Sequence, residues 1–130
     1  MKAKYYLFFT IIWMIFIFFL SNQSGEKFED ISHKIEWLKY QNFFAHFILY
    51  FILGFFFINF LRFYIKNNFM KFIYYFLFIL FYSIFDEIHQ YYVPGRYFEI
   101  MDIFVNIIGA LALFITFISK SRFTNIINNE

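Results

Sequence analysis

Apolar residues run almost unbroken through four stretches of the chain, 5–20, 43–61, 69–85 and 101–118, and polar residues gather between them. A helix that crosses the hydrocarbon core of a bilayer needs about 20 residues, with about 17–25 as the working range. The second and fourth stretches meet that length. The third does so if its end runs into the polar residues beyond Phe85. The first does so if Ala3, Tyr5, Tyr6 and Ser21 carry it into the interface, where aromatic side chains favour the headgroup level. Hydrocarbon offers no partner for a backbone N–H, so spans of this length fold as helices. The pattern predicts an all-α membrane protein: four transmembrane helices in a small bundle, residues 1–120, followed by a cytoplasmic tail, 121–130. In the first loop Ile31, Ile35 and Leu38 recur at i, i+4 and i+7. That spacing predicts a short amphipathic segment over 32–40 lying on the membrane surface.

Composition supports lipid as the solvent. The chain is 62% hydrophobic and 15% charged, against roughly 45–50% and about 25% for a soluble domain. With no cysteine, disulfides and thiolate chemistry are excluded. A net charge of +2 without a basic patch argues against nucleic acid as a partner, and leaves membrane lipids. The first stretch has a basic start, Lys2 and Lys4, but residues 18–23 lack a small-residue cleavage site, so it reads as an uncleaved anchor. Lys2, Lys4, Arg62, Lys66, Lys71, Lys120 and Arg122 fall on one side of the four spans; Lys27, Lys34, Lys39 and Arg96 fall on the other. The positive-inside rule then predicts a multi-pass protein of the cytoplasmic membrane with both termini in the cytoplasm.

Asp86, Glu87, His89, Gln90, Arg96, Glu99, Asp102 and Asn106 interrupt this apolar background within a single segment. An ionisable group at membrane depth costs several kcal/mol, so such groups usually mark function. Alternating spans bring all the unusual polar residues to the outer side. Ser21, Asn22 and Gln23 end the first span there, and His46 lies about one turn, ~5 Å, below the outer start of the second. Asp86–Gln90 end the third span, and Asp102 and Asn106 begin the fourth. Three stripes follow from helical spacing: His46, Tyr50 and Gly54; Tyr82, Asp86 and Gln90 (or His89); Asp102, Asn106 and Gly109. Facing one another, they are expected to enclose a small polar pocket open to the outside, with small residues below it allowing close helix contact.

Carboxylates beside imidazoles suit general acid–base chemistry, which makes His46, Asp86, Glu87, His89 and Asp102 the candidate catalytic residues. Ser21, Gln23, Gln90, Arg96 and Asn106 are the candidate substrate contacts, with Arg96 able to hold a phosphate or carboxylate. Plainer readings stand beside these. His46 can serve as a packing histidine and Asp102 as the N-cap of the fourth span. Arg96 can anchor at the headgroups or pair with Asp86 or Asp102 in a structural lock. Tyr91, Tyr92 and Tyr97 can offer stacking surface to a ligand that is bound and not transformed. A metal held by His46, Glu87, His89 and Asp102 ranks low, because Glu87 and His89 at i, i+2 point apart on a helix; no metal or cofactor is expected. No nucleophile motif is visible. Asn59 and Tyr64 alone cannot line a path through the inner half, which argues against a transporter.

The run Asp86-Glu87-Ile88-His89-Gln90, then Val93-Pro94-Gly95-Arg96, then Asp102, Asn106 and Gly109, resembles the hallmark of the VanZ-like membrane proteins. Ser21-Asn22-Gln23-Ser24-Gly25 is similar to the segment that follows their first span, although Asn22 stands where Ser is commoner. Ala45-His46-Phe47 with Tyr50 and Gly54 is similar to their second-span motif, with Phe43-Phe44 in place of a more basic start. The resemblance implies a four-span fold and a site at the outer membrane face. It also implies a link to the cell envelope through the family's association with resistance to the glycopeptide antibiotic teicoplanin. A lipid-linked or lipoglycopeptide molecule is the expected ligand.

Overall fold

The computed structural model describes residues 2–23 and 37–127. They form four helices: α1 (Lys2–Ser21), α2 (Trp37–Leu61), α3 (Asn68–Tyr91) and α4 (Ile100–Ile127), with no strand among the described residues. Each contains a stretch long and apolar enough to cross a membrane: Lys2–Ser21, Asn42–Leu61, Asn68–Tyr91 and Ile100–Ser119. Twenty residues at 1.5 Å each reach ~30 Å, the thickness of the hydrocarbon core. The protein is thus an all-α, multi-pass membrane bundle.

The helices run beyond the apolar stretches, and at the end of α3 the polar side chains find partners on neighbouring helices. α3 continues through the polar residues to Tyr91, and α4 continues to Ile127, past the boundary expected at 120. Of the surface segment expected over 32–40, residues 37–40 belong to the first turn of α2, and the remainder lies outside the described residues. α3 starts at a well-made cap: Asn67 Oδ1 accepts from the Phe69 and Met70 N–H groups at 2.8 and 3.1 Å. Between α3 and α4 the Arg96 N–H donates to the Val93 carbonyl at 3.1 Å across Pro94 and Gly95. Gly95 takes φ 71° there, the conformation that position i+2 of a type II turn requires.

Consecutive helices alternate in direction. At one end of the bundle Ser21 of α1 meets Asp86 of α3, and His46 of α2 meets Asn106 of α4. At the other end Arg62 lies over the Tyr6 ring, 5.6 Å from its centroid, and Lys71 over Phe117 at 5.9 Å. α2 and α3 each touch all the other helices, whereas α1 and α4 do not touch each other. The most extensive seam joins α2 to α4. It is close because Gly109 sits against the backbone of Phe47: a Cβ there would collide with the Phe47 carbonyl oxygen and lie 3.1 Å from its Cα.

Below the polar end the core is aliphatic and aromatic, with Ile17, Tyr50, Leu53, Ile58, Tyr75 and Ile79 fully buried. Tyrosine and tryptophan hydroxyl and N–H groups there reach backbone carbonyls on neighbouring helices. Trp13 Nε1 donates to Leu49 O at 2.9 Å, Tyr75 to Ala110 O at 2.7 Å and Tyr82 to Met14 O at 2.6 Å. Thr10 and Asn59 bond within their own helices, so they draw no polar route through the inner half. Phe8, Phe19, Phe44, Phe69, Phe81, Ile108 and Ile115 instead face outward. A continuous apolar exterior of this kind is a lipid-facing surface.

Candidate functional site

Two hydrogen-bonded strings tie the helices together at the polar end. The first runs through α2, α4 and α3. Asn106 Nδ2 donates to Ser83 Oγ at 2.9 Å, and Asn106 Oδ1 lies 3.0 Å from His46 Nδ1. With the Asn106 amide donating to Ser83, its carbonyl accepts, so Nδ1 of His46 carries a proton. The other ring nitrogen, Nε2, faces Asp102 Oδ2 at 3.4 Å, and Asn42 Nδ2 reaches the same oxygen at 3.5 Å.

The second string runs through α1, α3 and α2 around Asp86. Ser21 donates to Asp86 Oδ1 at 2.6 Å and Tyr50 to Oδ2 at 3.4 Å. Gln90 Nε2 stands 3.5 Å from both Asp86 Oδ2 and Ser21 Oγ, and 3.4 Å from Glu87 Oε1. Glu87, one residue on, turns toward the start of α4, where its Oε2 accepts from the Glu99 N–H at 3.2 Å. Successive helix residues lie about 100° apart, so adjacent Asp86 and Glu87 serve two different neighbours from adjacent stripes of α3. The strings come together at the acids and the imidazole: His46, Asp86 and Glu87 each offer a ligand-type atom, all within 4.8 Å of one another.

This assembly is closed. Ser21, His46, Ser83, Asp86, Glu87, Gln90, Asp102 and Asn106 are all buried, Glu87 and Asn106 completely. The pocket expected to stand open is therefore a buried cluster among the described residues, because the three stripes pack directly against one another. Asp102 does not take the N-cap position that the plainer reading offered it. α4 begins at Ile100, so Asp102 is the third helical residue, and its carboxylate leaves the helix end to face His46. Its Oδ1 is buried without a hydrogen-bond partner.

Three of the expected site residues stay outside the cluster. His89, two residues from Glu87, falls on another face of α3; its ring stacks on Phe18 with centroids 4.1 Å apart, and its Nε2 is buried without a partner. Gln90 occupies the stripe position shared in the sequence reading with His89. Gln23 is exposed and donates back to Phe19 O at 3.2 Å. Arg96 forms no ion pair with Asp86 or Asp102; its Nε donates to Gln23 O at 3.3 Å. The only acid–base ion-pair contact among the described residues is His46–Asp102. Sequence reasoning missed Ser83, Asn42 and the Glu99 N–H as partners. Ser83 had a legible signal, since it precedes Glu87 by four residues and so shares its stripe.

Chemically, the cluster combines three buried carboxylates with one imidazole and hydroxyl or amide donors. It has no lysine or arginine within ion-pair reach among the described residues. It can hold a cation, exchange protons or polarise a bound group. No curated protein and no solved structure matches the chain. The sequence profile of VanZ/LLP1 matches residues 6–121, from the first turns of α1 into the last turns of α4 and so across every residue of the cluster. The chain belongs to the VanZ/LLP1 family.

Proposed function

We propose that this protein sits in the cytoplasmic membrane with both termini in the cytoplasm, and acts at the outer leaflet on a lipid-linked or glycopeptide-type envelope molecule. His46, Asp86, Glu87 and Asp102 are the reacting groups of the site, and Ser21, Ser83, Gln90 and Asn106 hold them in place. The observation that carries the reading is the excess of acids over bases: three carboxyl groups buried near one end of the bundle with a single imidazole opposite them.

A structural lock does not account for that imbalance. An inserted helix is penalised by ~2.5–3.5 kcal/mol for an aspartate at its centre, and by less toward the interface. An interhelical hydrogen bond contributes ~0.6 kcal/mol on average and rarely more than about 1.7. Serine and asparagine, as at Ser83 and Asn106, join helices without that penalty, and a lock made of charges would pair them. Here Arg96, the nearby guanidinium, goes to a backbone carbonyl.

Binding without reaction is the second reading, and Arg96 favours it. Its terminal nitrogens engage no carboxylate among the described residues, which leaves them for a phosphate or carboxylate on a headgroup. The experiment is reconstitution in nanodiscs with envelope lipid extract and teicoplanin as separate ligands, followed by binding and by mass spectrometry of the lipids. Wild-type protein converts a lipid-linked species, and Glu87→Gln abolishes conversion at unchanged membrane abundance. Saturable binding that survives Glu87→Gln without conversion supports the binding module. Neither binding nor conversion overturns both readings.

A further inference from the structure

His46, Asp86 and Glu87 present three ligand-type atoms within 4.8 Å of one another, all from buried residues. We propose that they bind one divalent cation of the Zn2+ or Mn2+ class between α2 and α3. The inference rests on the reading of this cluster as a functional site, and it names what the site holds.

Three observations carry it. The first is the ligand set. An imidazole with two carboxylates suits Zn2+ or Mn2+, and metal–ligand distances of about 2.0–2.2 Å in tetrahedral coordination put ligand atoms roughly 3.3–3.6 Å apart. Atoms as much as 4.8 Å apart draw in by up to about 1.5 Å to reach that spacing, a shift within the reach of side-chain rotation. This set differs from the one weighed from sequence: Asp86 replaces His89, which lies against Phe18.

The second is a completed outer shell. Ligating histidines almost always donate their other N–H to an oxygen acceptor, and ligating carboxylates are themselves hydrogen-bonded. His46 Nδ1–H has its acceptor in Asn106 Oδ1, which leaves Nε2, on the side of Asp102, as the nitrogen that meets the ion. Ser21, Tyr50 and Gln90 fix Asp86, and the Glu99 N–H fixes Glu87.

The third is a surplus of hydrogen-bond acceptors. Both imidazole nitrogens face acceptors, yet neutral imidazole has a single N–H to give. Asp102, beside His46, is 3% exposed and keeps an oxygen, Oδ1, with no partner at all. A bound cation would meet lone pairs that the donors of the cluster leave unmatched.

The test uses full-length protein in nanodiscs, stripped with EDTA, reloaded with Zn2+ or Mn2+ and freed of excess metal. Elemental analysis is expected to find about one metal per chain. Asn106→Ala weakens binding by roughly 10–100-fold through the outer shell, Glu87→Gln removes the stoichiometric metal, and His89→Asn keeps it. Pulsed EPR of Mn2+-loaded wild type is expected to show coupling to an imidazole nitrogen, a readout independent of whether any variant folds. No stoichiometric uptake of either metal, or bound Mn2+ without nitrogen coupling, overturns the proposal. Metal bound with no headgroup binding or conversion supports this site and removes the proposed substrate class. Lipid conversion at full rate in metal-free protein overturns the cation site alone.

Discussion

Gly109→Ala adds one methyl group at the closest approach of α2 and α4. That methyl would overlap the Phe47 carbonyl oxygen and stand 3.1 Å from both the carbonyl carbon and Cα of Phe47. All three obstacles are backbone, so no side chain can swing away; one helix has to move. Overpacking of this kind typically costs 1–3 kcal/mol. The displacement also opens the bond between His46 and Asn106, which lie one residue from Phe47 and three from Gly109. That adds roughly 0.6 kcal/mol, the mean for an interhelical bond in a membrane. Reversible unfolding in mixed micelles against denaturing detergent should therefore show Gly109→Ala destabilised by about 2–3 kcal/mol. Ile108→Ala, on the neighbouring lipid-facing position, serves as the control and should change stability far less. A Gly109→Ala protein within ~0.5 kcal/mol of wild type, the usual range for an unremarkable surface change, would refute the argument that this seam is backbone against backbone.

Other predictions follow from the same geometry. At Gly54 the obstacle is the Tyr75 side chain, whose hydroxyl bonds Ala110 O; Gly54→Ala should destabilise, and Tyr75→Phe in the same chain should recover part of the loss in a double-mutant cycle. Ser21→Ala, which removes a 2.6 Å bond to Asp86, should cost about 0.6–1.7 kcal/mol in the same unfolding assay, and Tyr50→Phe, which removes a 3.4 Å bond, should cost less. Asn67→Ala strips the N-cap of α3 and should cost ~1 kcal/mol.

The stripes at i, i+4 and i+7 or i+8 were legible because a helix gives each residue a fixed bearing. Tyr82, Asp86 and Gln90 face inward, as do His46, Tyr50 and Gly54, and Asp102, Asn106 and Gly109. Hydropathy located the four spans for the same reason: a bilayer imposes one length on every crossing helix. Side-chain reach was not legible. Arg96 is near Asp86 and Asp102 in sequence, yet the turn at Pro94-Gly95 directs it toward Gln23 O. His89 and Gln90 are neighbours with similar chemistry, and only the rotation of α3 against Phe18 separates them. Whether the cluster stands open depended on how tightly α2 and α4 approach, which Gly109 sets through contact with a backbone atom 62 positions away in sequence.

The account stands on the cluster facing the cell exterior. The chain has no cysteine, so single cysteines report their own position without background. Gln23→Cys and Tyr97→Cys mark the end of the bundle that holds the cluster, and Tyr64→Cys marks the opposite end; all three positions are exposed. In intact cells a membrane-impermeant maleimide should label the first two and reach Tyr64→Cys only after permeabilisation. Labelling of Tyr64→Cys from outside, with Gln23→Cys and Tyr97→Cys protected, would place the acids and His46 at the cytoplasmic face and contradict the account.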